Sequence, residues 1–329
     1  MQKIAILGLG SYVPDVVLTN EDLSTRVDTT DEWITTRTGI KERHILAKGE
    51  TNTDMGVAAA EAALADAGVS ASDITHVLVA TCTGEYTTPS ASCLIADRLG
   101  IKGRYALDIN AACSGFLYGL ETAAALIAMK PEAKVLLIAT EALSHRTNWA
   151  DRSTCVLFGD GGAAMVLSAD TAAKRMGSLV DIETASDGSL GPLLNFGGLP
   201  ESGPYSLGDP VGPEYFIQMK GNEVFKHAVR NMASISAEVM KRNGLTVADL
   251  DLVVPHQANM RIIDAVTSRL DVPAEKVYVN LPHTGNTSAV SIPLAFDEAR
   301  RTGRLKEGMK VLACTFGGGF TWSAALFQF

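Results

Sequence analysis

The chain has 329 residues, of which 47% are hydrophobic and 20% charged, with a formal net charge of −9. That length and apolar content predict a large α/β core with room for two domains, and exclude a disordered or fibrous chain. The acidic balance, with no basic stripe, excludes a general nucleic-acid binder, so any anionic ligand has to be met by a local cluster of cations. The apolar run at residues 4–7, interrupted by Gly8 and closed by Gly10, reads as a first strand rather than a leader, because no small-residue cleavage site follows it. Residues 19–23 have the pattern of a capped helix start. Residues 27–48, which hold Trp33, Arg37 and Arg43, read as polar and irregular. An alanine-rich helix is predicted over 53–67 with Gly68 as its stop, followed by a strand over 74–81 and a loop over 82–89 leading into a helix that ends near Leu99. Further strands are predicted over 134–140 and 163–167, the latter after Gly159-Asp160-Gly161-Gly162. No apolar window approaches the length that spans a bilayer, so the chain reads as soluble.

Residues 107–110 read as extended, and Phe116, Leu117, Leu120, Ala123, Ala124 and Ile127 then recur at helical spacing. Cys113, between them, falls at a helix N-terminus. Unpaired N–H groups and the positive end of the helix dipole favour a thiolate there, which predicts a pKa below the usual value of roughly 8.5. The neighbouring alanines, Ser114 and Gly115 are small enough for a substrate to reach the sulfur, which is the layout of a nucleophile. The remaining cysteines, Cys82, Cys93, Cys155 and Cys314, lack paired metal-ligand spacing and read as reduced, buried thiols of a cytoplasmic protein.

The second half repeats the first. Residues 68–74 correspond to 244–250 (244 − 68 = 176), and Lys134-Val135-Leu136 to Lys310-Val311-Leu312 (310 − 134 = 176). Arg98-Leu99 matches Arg269-Leu270 at a slightly smaller offset. The pattern predicts a duplicated βα unit with halves 1–173 and 174–329. Aligning the two strand-to-helix elbows sets Asn286 opposite Cys113, and the common offset sets His256 opposite Ala80 at the end of a strand. Ligand sites in α/β proteins gather at the carboxyl ends of strands, so Cys113, His256 and Asn286 are expected in one cleft.

Each of these residues has a plainer job available. His256 can cap the helix that follows it, but paired with Cys113 it is a candidate base or hydrogen-bond donor. Asn286 can be a helix N-cap, or an uncharged donor to a developing oxyanion. His283 competes with His256, but its place in the Pro282 turn points to a supporting role. The run Gly317-Gly318-Gly319 is either a bulge or a backbone N–H offered to an oxyanion.

Five motifs together resemble the β-ketoacyl-acyl-carrier-protein synthase III enzymes of the thiolase superfamily: ACSGF at Cys113, GDGGAA at 159–164, VPHQAN at 254–259, GNTSA at 285–289 and FGGGFTW at 316–322. The resemblance spans essentially the whole chain. It implies a duplicated five-layer αβαβα α/β fold, a homodimer without a resident cofactor or metal, and the first condensation of fatty-acid synthesis, in which an acyl-CoA primer meets malonyl-acyl carrier protein. Carried over motif by motif, it implies that Cys113 takes the acyl group as a thioester. The N–H groups of Cys113 and Gly318 would form the oxyanion hole, and His256 and Asn286 would stabilise the enolate left by decarboxylation. It implies a CoA site in which Trp33 and Arg152 sandwich the adenine and Arg37 meets phosphate, with Thr29, Gly221, Asn222, Phe225 and Asn259 along the pantetheine channel. Lys226, Arg261 and Arg269 are the implied contacts for the acidic carrier protein.

Two positions depart from the family's pattern. Thr88 stands where some members place a phenylalanine that reaches across the dimer and limits primer length, which predicts a roomier acyl pocket. Ser153 stands where glycine is frequent. A thiolase is disfavoured because Thr315, with Cys314 one residue away, occupies the place of its second catalytic cysteine, and an elongating synthase because Asn286 replaces a histidine. Two alternatives stay open at this stage: a related Cys-His-Asn condensing enzyme making polyketides, quinolones or long-chain ketones, and a non-catalytic homologue that binds acyl carriers.

Overall fold

The computed structural model describes residues 4–169, 176–197, 212 and 215–329. Strand β1 (Ile4–Tyr12) carries glycine at positions 8 and 10 because the alanine-rich helix α3 (Asn52–Ala67) lies directly on it: a Cβ at either position would strike the backbone around Ala63. Between them, β2 (Val16–Thr19) and β3 (Glu42–Ile45) pair antiparallel around two short helices, α1 (Asn20–Ser24) and α2 (Asp31–Thr38). The stretch expected to be irregular is therefore ordered. Helix α2 escapes periodicity because it buries only Ile34 and Thr38; its ends are set instead by Thr30, which caps the Trp33 N–H, and by Gly39, left-handed at φ 79°.

The first half continues with β4 (His76–Ala80), α4 (Ala91–Arg98), β5 (Tyr105–Ile109), α5 (Gly115–Met129), β6 (Lys134–Glu141) and β7 (Gly161–Ala169). The second holds β8 (Gly177–Ser186), the small pair β9 (Leu194–Asn195) and β10 (Gln218–Met219), α6 (Gly221–Arg242), β11 (Leu252–Pro255), α7 (Met260–Arg269), α8 (Leu281–Thr284), α9 (Ser291–Arg301), β12 (Lys310–Gly317) and β13 (Thr321–Gln328). The main sheet runs β11-β12-β13-β8-β1-β7-β6-β4-β5. From its two ends inward the order is the same: β5-β4-β6-β7-β1 matches β11-β12-β13-β8, with a parallel bridge between Val253 and Val277 in the place of β5. The halves join where Ile4, Ala5 and Ile6 pair with Leu179, Ser178 and Gly177.

Helices α3 and α4 cover one outer face and α6 and α7 the other, while α5 and α9 lie between the halves and pack on strands of both. This is the five-layer αβαβα arrangement. It also corrects the reading that no apolar window is long enough to span a bilayer: the 18 helical residues Ala112–Met129 are, with a mean hydropathy of 1.4. Sheet on both sides accounts for that apolarity.

The structure moves the correspondence between the elbows. Two matching one-turn 3₁₀ segments, Ala112–Ser114 and Ser288–Val290, precede α5 and α9 at the strand offset (288 − 112 = 176), and both open on a left-handed residue, Ala112 at φ 46° and Ser288 at φ 52°. Cys113 therefore corresponds to Ala289, not Asn286. Asn286 corresponds to Asn110, and each accepts a hydrogen bond from the backbone N–H two residues on, at 2.9 Å and 3.4 Å respectively. The division between 173 and 174 lies outside the described residues.

Candidate active site

Cys113 occupies the 3₁₀ turn that feeds α5. A Cβ on Gly317 would sit 2.7 Å from the Cys113 nitrogen and 3.0 Å from that of Ser114, so only glycine lets β12 end against this elbow. Ser114 fastens the two together, accepting from Thr315 Oγ1 at 2.9 Å and donating to the Thr321 carbonyl at 3.2 Å. Cys113 is partly exposed and lines a deep cavity. Withdrawal from bulk water pushes its thiol up to about 11; a hydrogen bond with Ser288 opposes this and the Glu141 charge adds to it. The direction is opposite to the lowering expected from the helix terminus, and desolvation of the thiolate is its foremost cause.

His256 follows β11, buried, with its N–H donating to the Cys314 carbonyl at 2.8 Å. Its Nδ1 lies 2.6 Å from Ser291 Oγ at the first residue of α9. Burial depresses its pKa to about 3, so the ring is neutral near pH 7. When the Ser291 hydroxyl donates to Nδ1, the ring proton is left on Nε2, and in that tautomer His256 can donate toward the cavity it lines. Gln257 secures the loop: its Nε2 donates to the Pro255 and Tyr278 carbonyls, and its Oε1 accepts from the Asn280 and Leu281 N–H groups at 3.1 and 3.2 Å.

Asn286 is delivered by Gly285, whose φ of 64° favours glycine and where a Cβ would come within 3.1 Å of the Leu157 carbonyl. The Asn286 N–H donates to Leu157 O at 2.8 Å and its carbonyl accepts from Gly159 N–H at 3.0 Å. The glycine-rich motif at 159–162 thereby holds the Asn286 loop from the other half of the chain. Its carboxylate, Asp160, is buried and turned elsewhere, onto Ser144 and the Leu46 N–H.

Four residues not expected in the site stand close to it: Glu141, Ser288, Ser291 and Cys82. Glu141 is fully buried at the end of β6, and five neighbouring groups donate to it: the Cys82 N–H at 3.2 Å, the Cys82 thiol at 3.2 Å, the Thr81 hydroxyl at 3.4 Å, the Thr83 hydroxyl, and the Ser288 hydroxyl at 3.1 Å. Burial raises its pKa against those hydrogen bonds. A carboxylate closing an apolar strand is the signal that could have found it. Cys82 is half-buried and lines the cavity, and Cys93 is exposed, so neither is the buried thiol expected; Cys155 and Cys314 are.

A cavity of about 1190 Å³ brings Cys113, His256, Asn286, Ser288 and Gly318 to one surface, along with Trp33, Arg37, Gly221, Asn222, Phe225, Asn259 and Arg261. Five anticipated site residues do not line it: Thr29, Thr88, Arg152, Lys226 and Arg269. The guanidinium carbons of Arg37 and Arg152 lie 4.5 and 4.9 Å from the Trp33 ring centre, so a purine can enter between Trp33 and Arg152 only if that guanidinium moves off the indole. Arg152 is also held by the Asp28 carbonyl at 2.6 Å. Lys226 is paired with Glu223 at 2.8 Å, and Asn259 spends its side-chain oxygen capping α7. Thr88 is exposed, and Thr87 is the loop residue that reaches the cavity. His283 lies outside it too, half-exposed and 3.0 Å from Glu298. Among the described residues, no group of three or more His, Cys, Asp or Glu side chains is placed to hold a metal.

Comparison with known proteins gives the family. Residues 107–188 match the family described as 3-oxoacyl-[acyl-carrier-protein] synthase III, and residues 240–329 match its C-terminal counterpart. A β-ketoacyl-[acyl-carrier-protein] synthase III from Nitratidesulfovibrio vulgaris (strain DP4) is 57% identical over 98% of both chains. The crystal structure of 3-oxoacyl-[acyl-carrier-protein] synthase III from Aquifex aeolicus VF5 superposes with a TM-score of 0.90 at 44% identity, over 99% of this chain and 100% of that one. The priming β-ketosynthase of the R1128 polyketide pathway does so at 0.91 with 37% identity, over 99% and 96%. Fold alone does not separate the last two, but the full-length identity to the curated relative does. The chain belongs to the β-ketoacyl-acyl-carrier-protein synthase III family, the thiolase-fold condensing acyltransferases that initiate fatty-acid synthesis.

Proposed function

We propose that Cys113 accepts the primer acyl group from acyl-CoA as a thioester, with the N–H groups of Cys113 and Gly318 polarising its carbonyl. Malonyl-acyl carrier protein then binds with its thioester carbonyl on His256 Nε2 and the Asn286 side chain. Loss of carbon dioxide leaves negative charge on that carbonyl oxygen, where preorganised neutral donors are most effective. The carbanion attacks acyl-Cys113 and the 3-oxoacyl product leaves on the carrier. The observation that carries this reading is the convergence of Cys113, His256 and Asn286 on one cavity, with His256 kept neutral by burial. Its test is intact-protein mass spectrometry after incubation with acetyl-CoA. The expected result is one acyl adduct, lost in Cys113→Ala; an adduct elsewhere or none refutes it.

The finer assignments belong to the same proposal. CoA enters as the substrate's carrier rather than a resident cofactor, with Trp33, Arg37, Gly221, Asn222, Phe225 and Asn259 along its path, and Thr29 and Arg152 engaging once the Arg152–Trp33 contact opens. Arg261, Lys226 and Arg269 supply positive charge for the carrier protein on an otherwise acidic surface. The enzyme works in the cytoplasm as a homodimer. In favour of the dimer, β5 is the edge strand of the main sheet and exposes Tyr105 and Leu107, with Tyr86 also exposed in the loop over 82–89. Across such an interface Thr88 leaves more room for a primer than a phenylalanine does, so octanoyl-CoA is expected to acylate Cys113 alongside acetyl-CoA. A strict acetyl preference removes that assignment.

A further inference from the structure

Acylation requires the Cys113 sulfur to be free of its proton when it attacks the thioester, yet the cavity offers no evident place for that proton. Among the described residues lining it there is no aspartate or glutamate, and its one histidine, His256, is bonded through Nδ1 to Ser291 and held neutral by burial. The exit lies behind the cavity wall. The two elbows pack against each other, so that Ser288 lines the cavity with Cys113; its hydroxyl favours the Cys113 thiolate and, at 3.1 Å, donates to the Glu141 carboxylate.

We propose that Glu141, acting through the Ser288 hydroxyl, takes the Cys113 proton during acylation, holds it while the acyl group is on the enzyme, and returns it during condensation. This rests on Cys113 being the acylated residue. In the first step the Cys113 S–H bond breaks and its proton passes to Ser288 Oγ as the Ser288 proton passes to Glu141. The freed electron pair on sulfur forms the bond to the acyl carbon, the bond from that carbon to the CoA sulfur breaks, and the CoA thiolate takes a proton from water. In the second step the carbanion displaces the Cys113 sulfur, and the proton returns from Glu141 through Ser288. The net uptake is one proton, carried away on CoA, as replacement of a malonyl carboxylate by carbon dioxide release requires.

The surroundings of Glu141 suit this task. The groups bonded to it all donate, so it rests as a carboxylate; on gaining a proton it needs one donor to turn round, and Ser288 is the one with a second acceptor in the Cys113 sulfur. Cys82 does not compete, because burial foremost and then the Glu141 charge hold its thiol well above the ordinary range. Burial also raises the Glu141 pKa, which helps it keep the proton. The corresponding position on the first elbow is Ala112, which has no hydroxyl.

Glu141 is a positioning residue here, and the discriminating measurement is the pH profile of CoA release in a single turnover with acetyl-CoA and no malonyl carrier. Wild type, Ser288→Ala and Glu141→Gln are compared, with the Cys113 adduct confirmed by mass. Ser288→Ala removes only a hydroxyl and so guards against misfolding of the Glu141 variant. Near pH 7 acylation in both variants is expected to slow by about a hundredfold or more, the scale of a lost proton-transfer group. The deficit should shrink as pH rises toward the thiol's own ionisation, where hydroxide replaces the relay. A profile matching wild type, or a loss equal at every pH, overturns the relay. Absence of a Cys113 adduct in wild type overturns the nucleophile assignment, and the relay with it.

Discussion

At residues 112–114 and 288–290 the backbone makes the same left-handed entry into a 3₁₀ turn and then a central helix, and asparagines precede both turns at equivalent positions. The side chains differ. The first elbow presents Cys113 behind a bare Ala112; the second presents Ser288, with Ala289 where the nucleophile would be, and Asn286 and His256 nearby on the cavity. The fold thus supplies a pair of pre-shaped loops on one cavity, and the chemistry is divided by changing what each carries. On the proposed roles, the first elbow holds the acyl group while the second makes the carbanion and handles the proton.

That division predicts separable losses. Cys113→Ala should abolish acylation and lower overall condensation by more than about a thousandfold, while malonyl-carrier decarboxylation, followed by carbon dioxide release, persists. His256→Ala and Asn286→Ala should do the reverse, each slowing decarboxylation by about a hundredfold to a thousandfold, as for other oxyanion donors, while the Cys113 adduct still forms. If either class of variant loses both half-reactions, the two elbows do not divide the work. Ser291→Ala should cost less, about tenfold in decarboxylation, because it leaves the His256 ring in place and frees only its tautomer.

Much of this was legible in the sequence because glycines and short polar motifs mark backbone constraints directly. Gly159, Gly285 and Gly317 each stand where a Cβ collides with another part of the site, so the motifs around them report packing as well as chemistry. The repeat offset was legible too, yet the elbows were paired three residues out. Strand periodicity does not show where a left-handed residue ends the strand, and neither Ala112 nor Ser288 belongs to a type that announces positive φ. Glu141 and Ser291 were missed for a different reason. Each is tied to the site only through a neighbour brought up from a distant part of the chain, Ser288 for Glu141 and His256 for Ser291, and nothing local to them records that neighbour. The desolvation that raises the Cys113 pKa is not legible in the sequence either, because it follows from the assembled cavity.

Two histidines of the second half, His256 and His283, give opposite pH signatures. His256 is held at about 3, below its ordinary 6.5, so its contribution to stability is present above about pH 6.5 and is lost as pH falls toward 3, when the unfolded chain takes up the proton first. Decarboxylation should accordingly show no histidine titration between about pH 5 and 8, in a pH–rate profile of carbon dioxide release; a transition near 6.5 would remove the neutral-donor role.

His283 is the smaller and reversed case. Its hydrogen bond to Glu298 raises its pKa above 6.5, so the stabilisation is full below that value and disappears as pH climbs through the folded pKa. The pair is half-exposed on the histidine side, so screening limits it to a few tenths of a kcal/mol. His283→Gln should therefore lower Tm by only about half a degree near pH 5.5 and leave it unchanged near pH 9, by thermal denaturation. Because His283 does not line the cavity, both half-reactions should keep their wild-type rates at either pH. A selective loss of decarboxylation would instead bring His283 into the second elbow's machinery, through the Asn280–Glu298 hydrogen bond that adjoins it.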